Sequence, residues 1–202
     1  IPFAGLGLRM AGPVLGRLLQ SGIGEAFVAA NLPFSHTRTL RQSGSAEFRT
    51  GIDRSSVLVD LSGEFERQFF GDVMLFTVIE LVAEAYPVVM PDAGRVSDIV
   101  RATQSRLREA YAANQSRLLQ RLVALEALLE SPDCWWSVAA EFADTRALLE
   151  QFIASLYANF DLQANVFRLI DDEMHCNERH RAIVEALLAY QADRESWCRL
   201  LG

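Results

Sequence analysis

The chain has 202 residues, half of them hydrophobic, with 19 basic residues against 26 acidic ones, a net charge of -7 and a pI of about 5.0. This length fits one domain, or one core with a helical appendage, and the apolar share is enough to bury a substantial core. The acidic balance argues against nucleic-acid binding, and no apolar run reaches the roughly 18–20 residues of a membrane span.

All 19 basic residues are Arg and none is Lys. Codon usage in a GC-rich, bacterial genome accounts for this. The chemical consequence is that every fixed positive charge is a planar fork suited to phosphate or carboxylate. The three cysteines, Cys134, Cys176 and Cys198, are odd in number and lack zinc-finger spacing. They indicate free thiols in a reducing, cytoplasmic compartment.

Residues 1–8, IPFAGLGL, suit a short buried strand or a tight loop. Pro13 suits the first turn of a helix whose apolar face is Val14, Leu15, Leu18 and Leu19 and which Gly22 and Gly24 end. Residues 32–54 are rich in Gly, Ser and Thr and read as loop, with a short strand possible at 46–50. SSVLVDL (55–61) has the β-branched, apolar composition of a strand. From Glu64 to Tyr86 the apolar spacing is helical and covers nearly all faces, so this helix is expected at the core, ending before Pro87 and Pro91. A further helix capped by Ser97 or Asp98 runs to about Glu130 with a narrow apolar stripe, the mark of a helical hairpin. Ser131-Pro132-Asp133 breaks it, a helix to about Ala158 follows, and a last helical segment covers 163–201 with an interruption near Asp171. The class expected is α+β, predominantly helical: a mixed strand/helix segment with a polar ligand loop over 1–92, then a helical domain over 93–202.

Three constellations carry chemical potential. His36, Arg38, Arg41, Arg49 and Arg54 reverse the local charge within an acidic protein and could hold a diphosphate, with His36 the metal-ligand candidate. Glu64 and Glu66 open a helix just after the expected strand; the helix dipole alone favours them there, and one of them could also be a general base. Asp171, Asp172, His175, Cys176 and His180 are metal-capable types at helical spacing, but neither HExxH nor a paired di-iron motif is present. A solvated polar helix face is the plainer reading of that run. Trp135, Trp136 and the aromatic residues at helical spacing read as core or a packing seam.

In order, PFAGLGLRM, VLGRLLQSG, a polar loop with His and Arg, a strand, and GEFERQFFGDVML resemble the acceptor-side half of a GT-A glycosyltransferase of the family 2 type. The resemblance implies transfer of a sugar from a nucleotide-sugar donor to a small-molecule or glycan acceptor, with a divalent metal (Mg or Mn) as cofactor. Pro2, Gly5 and Gly7 match its first element. Glu66 or Glu64 would be the base, and His36, Arg38 and Arg41 the diphosphate contacts. The chain departs from the family in having no Asp-x-Asp and no nucleotide-binding βαβ half. Its start at Ile1 rather than Met then implies an N-terminal half before it.

Two other readings compete. The long helical region could make the chain a non-enzymatic interaction module, self-associating into a homo-oligomer. Asp171, Asp172 and His175 could instead serve a helical metal or prenyl-diphosphate enzyme, although the DDxxD-type motif is incomplete.

Overall fold

A computed structural model describes residues 3–28, 60–133 and 142–201. These are 84% helical and include six α-helices. The helices are α1 (Ala11–Ile23), α2 (Ser62–Ala83), α3 (Ala93–Glu130), α4 (Ala143–Phe160), α5 (Arg168–Asp171) and α6 (Glu173–Leu201). The described residues form two compact units.

The first unit takes residues 3–28, Gly63–Ala110 and Phe167–Gly202. Its core is the nearly all-apolar α2, which buries Phe69, Phe70, Val73, Met74, Val78 and Leu81. Val14 and Leu18 of α1, Val96, Ile99 and Val100 of α3, and Ile183, Leu187 and Tyr190 of α6 are buried in the same unit. The chain turns back after α2 through Ala85, whose φ is +69°. Arg95 and Arg106 of α3 then meet Glu84, just past the end of α2, and Phe76 within it. The buried Tyr86 donates its hydroxyl to Leu187 O at 2.6 Å, while its own carbonyl accepts from Ser21 Oγ at 2.9 Å.

The second unit takes the described residues among Asn31–Ser62 and Tyr111–Val166. Leu122, Leu129 and Ile153 form its centre, with Leu118, Leu119, Leu125, Leu156 and Tyr157 packed around them. This is the narrow stripe of α3 meeting one face of α4. Asn159 Oδ1 accepts the Leu61 N–H at 2.8 Å, which ties the residue before α2 to the end of α4.

The expected α+β class is corrected: the described residues are all-α. The apolar N-terminal stretch is not a strand. Leu6 N–H bonds Phe3 O at 3.1 Å, and Ala4–Leu6 forms one 3-10 turn that Gly7 leaves at φ +64°. Two glycines in so short a stretch favour that turn over extension. The expected strand at 46–50 and residues 55–59 of the second lie outside the described residues. The cap of α3 also differs from expectation. Asp92 Oδ1 accepts Arg95 N–H at 2.9 Å, so the helix starts before Ser97 and Asp98. The interruption near Asp171 falls at Asp172, between α5 and α6.

Gly71 shows how closely the N-terminal segment lies on α2. A methyl group added there would stand 2.5 Å from the carbonyl oxygen of Arg9. Glycine inside a helix is normally a weakness, so this close approach is what requires it. Gly71→Ala is expected to lower stability by about 1–3 kcal/mol through overpacking. Gly16→Ala, on α1 where an added methyl meets nothing, is expected to raise stability by about 0.5–1 kcal/mol. Thermal unfolding of both variants beside the parent reads the two opposite signs.

Candidate functional site

Among the described residues Glu66 is the one buried carboxylate, at 3% exposure. It sits in the second turn of α2, flanked by Phe65 and Arg67, and α2 turns it inward. A charge there requires partners. Arg179 Nε donates to Oε1 at 2.5 Å, and His175 Nε2 lies 2.9 Å from the same oxygen. Both partners come from α6, one turn apart on one face of that helix. Arg179 also donates through Nη1 to Leu6 O at 3.0 Å, so one guanidinium holds α2, α6 and the N-terminal turn together.

A second clasp lies beside the first. Arg67 donates through Nε to Gly7 O at 2.8 Å and through Nη1 to Glu64 Oε1 at 2.9 Å. Arg9 donates through Nε to Glu64 Oε2 at 3.1 Å, and its backbone N–H bonds Arg67 O at 3.2 Å. The hydrogen bond from Arg9 holds the Glu64 carboxyl below its ordinary pKa; partial burial works against it, and the charges of Arg9 and Arg67 add to it. The segment Phe3–Arg9 is thereby fixed on the opening turns of α2.

Glu64 and Glu66 therefore stand together, but in different roles: Glu64 is a half-buried pair member and Glu66 a sealed one. His36, Arg38, Arg41, Arg49 and Arg54 lie outside the described residues, as do Pro2, Trp135 and Trp136. Gln68 Nε2 donates to Asp72 Oδ1 at 2.9 Å, so a partner of Asp72 comes from its own helix. The row Asp172, Cys176, His180 is split among separate tasks. Asp172 Oδ1 accepts the His175 N–H at 2.8 Å at the start of α6. Cys176 Sγ bonds Ile170 O at 3.1 Å, and burial raises its thiol pKa. His180 Nε2 lies 2.9 Å from Ser97 Oγ, and burial followed by the charge of Arg101 lowers its pKa. Asp171 pairs with Arg108 at 2.6 Å. Among the described residues no three His, Cys, Asp or Glu side chains are grouped to hold a metal ion, and His36, the metal-ligand candidate, lies outside them.

Reading from sequence missed Arg9, Arg67 and Arg179, and placed His175 on a solvated face or a metal row. The one local signal was the i, i+4 spacing of His175 and Arg179. No family model, curated protein or solved structure matches the chain. No helix among the described residues is long and apolar enough to cross a membrane.

Arg179→Met removes one donor from a sealed carboxylate and is expected to cost about 3 kcal/mol, with much of that recovered when Glu66→Leu is added. Denaturant unfolding of the single and double variants measures it. The Glu64 clasp has a defined pH sense. Its folded-state pKa is depressed, so its contribution is full above the ordinary carboxylate value and is lost as pH falls through the depressed one. The protection factor of the Arg9 amide is expected to drop over that acid range.

Proposed function

We propose that this chain is the acceptor-side helical part of a glycosyltransferase that uses a nucleotide-sugar donor. One observation carries the reading. The two segments that resemble such enzymes, Phe3–Arg9 and the opening of α2, are 55 residues apart in the chain yet close directly on one another at Glu64 and Arg67, and Arg179 links the same segment to Glu66. A packing role alone does not call for a sealed carboxylate, because an apolar residue of the same size serves a core at least as well. Glu64, paired twice and held below its ordinary pKa, is a poor proton acceptor. The reading therefore narrows to Glu66 as the carboxylate on which transfer depends. His36, Arg38, Arg41, Arg49 and Arg54 remain the diphosphate contacts in this reading. The nucleotide-binding half would come from residues other than the described ones.

The test is release of nucleoside diphosphate from a panel of nucleotide sugars in the presence of hydroxyl acceptors. Glu66→Gln is expected to lower turnover by about 10²–10⁴-fold. Glu64→Gln should leave turnover within several-fold, and Arg38→Ala should lose it with the melting temperature unchanged. Full turnover in Glu66→Gln would sink the reading.

A second reading, an interaction module, is favoured by the end of α6. Residues 191–200 are all exposed, including Trp197 at 45% and Leu200 at 84%. Three helical turns carrying an exposed Trp suit a docking surface. A concentration-dependent rise in sedimentation coefficient, abolished by Trp197→Ser, would favour this reading over the first.

A further inference from the structure

We propose that His175 is the general base of the transfer, and that Glu66 acts through it as a positioning residue. The inference rests on the glycosyltransferase reading and goes beyond it in naming the group that meets the acceptor. Glu66 is too deeply sealed for an acceptor hydroxyl to reach it, with 5% of its side chain exposed. His175 touches Glu66 and has 28% of its side chain exposed. The ring is therefore the accessible end of a carboxylate–imidazole pair whose other end is buried.

The hydrogen bond decides which nitrogen can act. A carboxylate only accepts, so the ring proton facing Glu66 Oε1 sits on Nε2 and the neutral ring carries its lone pair on Nδ1. No other hydrogen bond to the His175 side chain forms among the described residues. The ring is held in place by its surroundings. Phe70 meets it edge-on with centroids 6.0 Å apart, and Asp172 fixes the His175 backbone. Arg179 shares Oε1 with His175 and reaches Leu6 O, which ties the pair to the Phe3–Arg9 segment.

In the step, Nδ1 takes the proton of the acceptor hydroxyl. The acceptor oxygen bonds to the anomeric carbon, whose bond to the diphosphate oxygen breaks. The electron pair of that bond leaves with the nucleoside diphosphate. Glu66 lies against the imidazolium that forms and offsets its charge.

His175→Gln separates this role from a structural clamp. The Gln amide can still donate to Glu66, but it has no basic nitrogen. The expected result is a melting temperature close to that of the parent and transfer lowered by about 10²-fold or more. Added imidazole should return part of the activity of His175→Ala and none of that of Glu66→Gln. Parent-like transfer in His175→Gln would overturn the inference and leave the glycosyltransferase reading standing. Absence of transfer by the parent with every nucleotide sugar would overturn both.

Discussion

The arrangement of the first unit depends on one constraint: a carboxylate placed inside an apolar helix must find its charge partners within the protein. Residue 66 falls on the inward face of α2, beside Phe69 and Phe70, where water is excluded. An unpaired charge there costs several kcal/mol, more than most single packing contacts return. Arg179 and His175 meet this demand, and they do so from 113 and 109 residues further along the chain. The position of α6 on α2 is thus set by charge as well as by the apolar surfaces of Ile183 and Leu187. Apolar contacts alone tolerate sliding; two hydrogen bonds to a single oxygen do not.

The helices were readable in the sequence because their periodicity is local. The all-round apolar pattern of α2 marked it as the core helix, and the narrow stripe of α3 became the seam of the second unit. The first residues allowed two readings, a strand or a tight loop, for an equally local reason. Apolar composition suits a strand, but Gly7 at positive φ and a 3-10 turn over Ala4–Leu6 satisfy the same backbone groups in fewer residues. Gly71 was not singled out at all. Its reason lies in the Arg9 carbonyl more than sixty residues earlier, and no window around position 71 contains that information.

The candidate site was legible only in half. Glu64 and Glu66 stood out because acidic residues opening an apolar helix break its pattern. Their partners did not, because Arg9, Arg67 and Arg179 look like ordinary surface arginines in a chain whose basic residues are all Arg. The polar run from Asp171 to His180 misled in a different way. Its residue types suggested one shared ligand, whereas the helix turns them to different neighbours: Arg108, Glu66, Ile170 and Ser97. Spacing along a helix establishes which side chains share a face, not what that face meets.

The all-Arg composition has a structural consequence at this site. Arg179 serves two acceptors at once, the Glu66 carboxylate through Nε and the Leu6 carbonyl through Nη1. A guanidinium presents those donors in fixed relative directions, so holding the first acceptor aims the second. A lysine ammonium could neutralise Glu66, but its three rotatable donors would leave the N-terminal turn unaimed. The same fork recurs at Arg67, which joins Gly7 O to Glu64. Two forks therefore convert the charge requirement of two glutamates into the placement of one short backbone segment. Phe3 anchors one end of that segment by stacking on Tyr190 at 5.5 Å between ring centroids, and the arginines that answer Glu64 and Glu66 fix its backbone carbonyls with the donors they have left over.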